Sequence, residues 1–383
     1  HWDGVNHWND TNIRDRFSKF GDWLAYEVLP DPKTWPCMFN TLNDSYSQQY
    51  GSMGLLLALS AKYPEKAGLN QWVFNHTIQN VQNLLYNAAD MNFEQEILGA
   101  SMDFIFPILA GFNFVSPVEP STVLPLSRNM TWIGEVDIKT SQVWGDANDI
   151  QFTFTSEPAL HPQFGYNYHH DHPDKNHFTL SAFGDLYLRG YGYDGQAPEY
   201  HNTVLIDGKG EAYAGFLSGL TSQGQIVQHA TSSQFDFIHG DATLAYNELN
   251  FGVGKPPEVY TITNPGPAST SSFNPVQWAQ RYITFSRAMD NIPAYFIVAD
   301  DIQKDGNTHT FSWRFHSAKA RSGSNPVRLT GTGGNYLDMW FASTSSLSQT
   351  EMQLPQDKSG QREMFDALVP AWNTICDYPT ATD

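Results

Sequence analysis

The sequence predicts an α+β protein in which a helical segment precedes an antiparallel, β-rich one. Three observations predict it. Apolar residues recur at helical spacing up to about residue 112. The composition changes at Ser116-Pro117-Val118-Glu119-Pro120-Ser121. Beyond it, β-branched and aromatic residues alternate with polar ones between turn signals such as Asp207-Gly208, Pro265-Gly266 and Asp305-Gly306. The expected division is a helical domain over 1–115 and an antiparallel β-sandwich domain over 116–383.

Each element has its own signal. Ile13, Phe17, Phe20, Leu24 and Val28 fall on one face of a helix, which Asp31-Pro32-Lys33 breaks. Further helices are expected over 47–63, stopped by Pro64, over 69–85, and over 93–109, with Pro107 near the end. After Pro120 no helical period recurs, and Gly, Ser and Thr crowd the gaps between runs, as in antiparallel sandwiches.

Bulk properties exclude several classes. The chain has 383 residues, 40% of them hydrophobic and 14% aromatic, enough for two cores. No apolar run is long enough to span a membrane; Leu55-Leu56-Leu57-Ala58-Leu59 reads as a core helix segment. The net charge of −19 and the lack of a basic stripe argue against nucleic acid. That charge also opposes acidic polymers at long range, so local cations must offset it where such a polymer binds. Cys37 and Cys376 are too few for a disulfide scaffold. Sequons at Asn9, Asn43, Asn75 and Asn129 point weakly to a secreted glycoprotein. The start at His1, without a methionine, reads as a processed or partial chain.

The densest chemical signal is Gly165-Tyr166-Asn167-Tyr168-His169-His170-Asp171-His172-Pro173-Asp174-Lys175-Asn176-His177-Phe178. On a strand, His170 and His172 would share one face, with Asp174 next in the row. Two imidazoles and a carboxylate can hold a metal or move protons. A second landmark is Tyr200-His201-Asn202-Thr203-Val204-Leu205-Ile206-Asp207-Gly208.

Together these segments resemble the heparinase II/III-like family of polysaccharide lyases and glycosaminoglycan epimerases. That family carries an H-x-H-x-D-x-N-x-F strand followed by an H-N-T-V-x-x-D-G strand. Trp144 to Phe154, the Arg281-to-Phe285 and Tyr295-to-Asp301 hairpin, and Trp313-Arg314-Phe315-His316 agree in order, so the likeness covers roughly residues 10–320. The resemblance implies the last part of an α/α toroid followed by the β-sandwich, with Trp35 to Ser45 matching a late toroid loop. A companion chain or upstream segment would complete the toroid.

The resemblance also implies chemistry: β-elimination on a uronic-acid-containing glycan, an acidic polysaccharide. A base removes the C5 proton, an acid protonates the leaving oxygen, and the carboxylate is neutralised. His170 matches the catalytic histidine; the family's tyrosine lies on earlier helices, and here Tyr166, Tyr168, Tyr46 and Tyr50 are the candidates for the phenolic acid, of which Tyr168 is taken. His172 and His201 match ligands of zinc or another divalent metal. The family's third ligand is an acid about 18 residues after His172, but Gly190 and Arg189 occupy that place. Asp194 is taken as the replacement ligand, with Asp185 as the other nearby acid. Arg189 and Asn176 are taken as substrate-binding, and Arg189 could supply positive charge in place of a metal. His316 also matches a family position, structural or lining the cleft. A secreted or periplasmic location follows. A uronyl C5-epimerase, or a non-catalytic glycan-binding or structural protein, remains the alternative.

Overall fold

The computed structural model describes residues 11, 17–30, 56, 59–76, 115–131, 133–158, 172–189, 197–213, 220–251, 259–261, 273–317, 319–343, 347–348, 350–353 and 374–381. The chain divides into two compact units. The first comprises His1–Asn40, Tyr46–Leu126 and Ser141–Asp149; the second comprises Thr41–Ser45, Ser127–Thr140 and Ile150–Asp383.

In the first unit, α1 (Phe20–Glu27) buries Leu24 of the stripe read from the sequence, with Ala25 and Tyr26 beside it; Val28 of the stripe is buried just past its end, while Phe17 is exposed. Tyr26 packs on Trp144 at 4.7 Å and donates its hydroxyl proton to the Pro125 carbonyl at 2.5 Å. Residues 59–62 are helical, and a 3-10 turn at Pro64–Lys66 follows. Proline fits there because the first turn of a helix leaves its N–H groups unpaired anyway. Residues 67–76 continue as helix, and Lys66 ties back to Asp22 at 2.6 Å. The helix expected over 93–109 lies outside the described residues. No described helix is long and apolar enough to cross a membrane.

The second unit is built of antiparallel sheets. Strands β1 (Ser127–Met130), β2 (Glu135–Lys139), β3 (Ile150–Thr155), β4 (His177–Ala182) and β5 (Asp185–Leu188) form a meander in that order. Next come β6 (Val204–Ile206), β7 (Leu220–Thr221), β8 (Gln225–Thr231), β9 (Phe235–Asp241), the short helix α2 (Thr243–Asn247), β10 (Glu248–Phe251) and β11 (Val259–Thr261). Strands β12 (Trp278–Ser286), β13 (Tyr295–Gln303), β14 (Thr310–Trp313) and β15 (His316–Ser317) follow. The last are β16 (Ala320–Ser322), β17 (Val327–Thr330), β18 (Tyr336–Met339), β19 (Thr350–Gln353) and β20 (Thr374–Ala381). A four-stranded sheet runs β13-β12-β9-β8, and a further sheet runs β15-β20-β14-β6, with β19 also on β20.

The core lies between the meander and the four-stranded sheet. Phe152 and Phe178 of the first meet Phe296 of the second at 5.3 and 6.1 Å, and Ile238, Ile283 and Phe285 are buried with them. Gly240 is required here: a Cβ would lie 2.3 Å from Asn176 Oδ1 and 2.4 Å from the Phe154 ring.

The opposite face of the meander is polar and also buried. Its cross-strand rows are Glu135–Thr155–His177, Asp137–Thr153–Thr179 and Lys139–Gln151–Ser181. Thr153 Oγ1 donates to Asp137 at 2.6 Å and Lys139 Nζ to Gln151 at 2.8 Å, so the groups largely satisfy one another. His177 ends this face, and the candidate site begins there.

Candidate functional site

The local chain at the first histidine motif differs from the expected strand. β4 begins only at His177. Pro173 interrupts the run, the His177 N–H donates to the Asp174 carbonyl at 3.1 Å, and Asn176 takes a left-handed φ of 60°. Residues 172–176 therefore form a turn, and period-two alternation does not apply to them. His172 enters the site from this turn. His201 enters from the segment between the 3-10 turn Pro198–Tyr200 and β6.

Four buried histidines gather here. The rings of His172 and His201 are 5.1 Å apart, and His177 meets His201 edge-on at 5.7 Å. His316 stands beside them. Its Nδ1 faces Asn202 Oδ1 at 3.1 Å and its Nε2 faces the Glu199 carbonyl at 3.0 Å. Burial, followed by the Arg314 charge, pushes His316 down to about 3, with Arg189 contributing. The ring is thus neutral near pH 7 and has one proton to donate between these two acceptors. His201 is also held well below the usual histidine range, by burial first and then by His172, His316 and Lys175. Burial does the same to His177, with His201 adding to it, and His177 Nδ1 accepts the Asn202 N–H at 2.9 Å. His201 Nε2 is buried with no hydrogen-bond partner among the described residues. A neutral imidazole with a bare nitrogen is poised to accept a proton or bind a ligand.

Arg281 locks the two motifs together. It donates to the Asn176 carbonyl at 2.6 Å and the Asn202 carbonyl at 2.8 Å, and it holds Asp300 through two bonds of 2.6 and 2.9 Å. Lys175 makes a second knot. Its Nζ reaches the His172 carbonyl at 2.9 Å, Asp174 at 3.1 Å and Glu157 at 3.3 Å, and its backbone N–H donates to Glu211 at 3.1 Å. Burial pushes the Glu211 carboxyl up to about 8.

His172 and His201 are the expected residues that come together. His170, Tyr168 and Asp194 lie outside the described residues. Asn176 turns its side-chain amide toward the Gly240 and Ala279 carbonyls, at 3.4 and 3.5 Å. Arg189 follows β5 and is 2% exposed, with its N–H on the His316 carbonyl. Asp185 is engaged by Lys319 and by the Thr332 N–H and hydroxyl. The sequence reading gave no role to His177, Asn202, Arg281 or Glu211. Asn202 and Glu211 carried a signal, as polar residues flanking the apolar run Val204-Leu205-Ile206.

The described residues alone do not complete a metal site here, and Asp194, the expected third ligand, lies outside them. Zinc needs at least three protein ligands. Among the described residues no further His, Cys, Asp or Glu closes such a set with His172 and His201. The nearby Arg189 and Arg314 add positive charge, which opposes a cation.

No family model and no curated protein matches the chain. Solved structures do. A heparinase III is 10% identical with a TM-score of 0.56, over 97% of this chain and 47% of its own length. The chain shares the heparinase III fold. A heparan sulfate lyase, HepC from Pedobacter heparinus, is 14% identical with a TM-score of 0.48, over 96% of this chain and 54% of its own. The chain thus spans about half the length of the structures it matches.

Proposed function

We propose that the chain is part of a polysaccharide lyase that cleaves a uronic-acid-containing glycan by β-elimination. The observation that carries the reading is the pairing of His172 with His201, ring to ring, in a chain of heparinase III fold. Its helical unit is read as the end of an α/α toroid, which a companion chain or upstream segment completes, and its location as secreted or periplasmic.

His170 abstracts the C5 proton, and Tyr168 protonates the leaving oxygen. His201 stays neutral in its buried setting and positions the base or the sugar through its bare Nε2. Arg189 offsets the uronate carboxylate, as a guanidinium pairs with a carboxylate through two parallel bonds. No step requires a metal ion.

The test is incubation with a panel of polyuronates and glycosaminoglycans, read by the ultraviolet absorbance of the 4,5-unsaturated product. His170→Ala should lower the rate on the order of 10²-fold, the usual loss of a general base, without unfolding the chain. Solvent deuterium entering C5 without cleavage would reassign the chain to uronyl epimerases. Absence of both reactions, with the toroid completed, would leave a glycan-binding protein.

A further inference from the structure

The four-stranded sheet has a second face, turned away from the core, that the proposed lyase chemistry does not use. Its cross-strand rows are Gln225–Asp241–Gln280–Asp301, Gln228–His239–Tyr282–Ala299 and Ala230–Phe237–Thr284–Ile297, ending in Phe235 and Tyr295. Trp278 extends β12 at the other end. This face is exposed: Ile297 is 57%, Tyr295 44%, Phe235 40% and Trp278 36% accessible. Trp278 stands at one end and Phe235, Tyr295 and Ile297 at the other, and between them Phe237, His239, Gln280, Tyr282 and Thr284 are half-buried, so the face is a mixed aromatic and polar one.

The rings are held in place. Trp278 Nε1 donates to Asp301 Oδ1 at 2.9 Å. Tyr282 stacks on His239 at 4.5 Å and lies beside Phe237 at 6.5 Å, and His239 is fixed in turn by Gln280 at 2.5 Å. From Trp278 to the Tyr295 row the platform runs about 26 Å along the strands, eight residues at about 3.3 Å each.

We propose that this face binds a neutral polysaccharide, separately from the histidine site. A pyranose ring offers apolar C–H faces and a rim of hydroxyls. It needs aromatic surfaces, whose π-faces are electron-rich, interleaved with amides and carboxylates that bond hydroxyls. The Trp278, Tyr282 and Tyr295 rings among Gln225, Gln280 and Asp301 supply that alternation. Charge selects between occupants. Among the described residues the face carries no Lys or Arg, and it carries Asp241 and Asp301. A polyanionic glycan finds no counter-charge there. A second copy would bring acid against acid on a chain of net charge −19. A neutral glycan meets neither penalty.

The test is native electrophoresis of the chain in gels containing hydroxyethylcellulose or arabinoxylan, with light scattering alongside. Wild type should be retarded in at least one. The Trp278→Ala/Tyr295→Ala variant should lose roughly tenfold or more in affinity while folding normally, since both positions are at the surface. No retardation of wild type in either gel overturns the proposal. So does equal retardation of the variant. A dimer in wild type that the double substitution abolishes, with glycan retardation unchanged, would assign the face to self-association instead.

Discussion

Glu211→Gln isolates a single buried proton. Glu211 is 1% exposed, accepts the Lys175 N–H at 3.1 Å and the Ser222 hydroxyl at 3.4 Å through Oε2, and leaves Oε1 without a partner among the described residues. Burial raises its pKa from 4.5 to about 8, against the lowering pull of Lys175, while Asp174 raises it further. The folded state therefore holds this proton at pH values where the unfolded chain has released it. A raised acid means that folding stability falls as pH climbs from about 4.5 to about 8 and levels off above that. At about 1.4 kcal/mol per pH unit the full effect is at most about 5 kcal/mol. Relaxation around Lys175 reduces it, so roughly 2–3 kcal/mol is the expected yield. Glutamine has the same shape, keeps an acceptor oxygen for Lys175 and Ser222, and does not titrate. Urea unfolding of both proteins, followed by tryptophan fluorescence from about pH 5 to about pH 8, should show the variant gaining on wild type across that window. Every other titrating group is common to both and cancels in the difference. Parallel stability curves would refute the reasoning, because Glu211 would then be ionised throughout or exposed in the folded state.

Three further outcomes follow from the same geometry. Arg281→Met should cost about 3–5 kcal/mol in chemical denaturation, since it strands Asp300 and orphans the Asn176 and Asn202 carbonyls; a loss under about 1 kcal/mol would show that the clamp is dispensable. His309 bridges Asp207 at 2.7 Å and Asp305 at 2.8 Å, which raises the histidine above 6.5 and lowers Asp305 below 3.8; Asp207 is lowered first by the Thr310 N–H and then by His309. Its stabilisation is therefore complete below about 6.5, fades as pH rises through the raised value, and is lost in acid as the carboxylates protonate; His309→Ala should lower the melting temperature near pH 5–6 and leave it unchanged near pH 9, and a constant deficit would refute the clamp. Metal analysis of chelator-free protein should find no stoichiometric divalent ion; one equivalent, lost on His172→Ala, would mean that Asp194 or another residue outside the described set completes a site.

The order of helix then sheet was legible because it rests on periodicity, and the β12–β13 hairpin through the family resemblance; the structure adds that Arg281 and Asp300 stand opposite each other in its register. The turn at Asp207-Gly208 was legible too, since both residues need the left-handed backbone they adopt, with φ of 53° and 76°. The geometry at His172 was not. A strand was expected from spacing alone, but Pro173 and the left-handed Asn176 set the local path, and β4 starts five residues later. The polar face of the meander was equally hidden. Alternation in Gln151-Phe152-Thr153-Phe154-Thr155 reports two chemical faces and says nothing of solvent, and Thr153 proves to be 0% exposed. Arg281 read as part of a hairpin motif, yet its contacts reach 79 and 105 positions away in sequence, beyond any local pattern.

The net charge of −19 and the polyanionic substrate proposed above are compatible once distance is considered. At physiological salt the field of exposed acids fades over about 8 Å, so surface acidity slows the approach of an acidic polymer more than it alters chemistry at a buried centre. What acts there is the local set. Lys175 is matched by Asp174 and Glu157, and Arg281 by Asp300. At His316 burial comes first, and the Arg314 and Arg189 charges lower it further. Burial first, with neighbouring positive charges behind it, keeps His177, His201 and His316 neutral, as a proton acceptor requires. An outer face that holds a neutral stretch of glycan would add affinity where electrostatic steering cannot, by raising the effective concentration of the reactive uronate at the cleft.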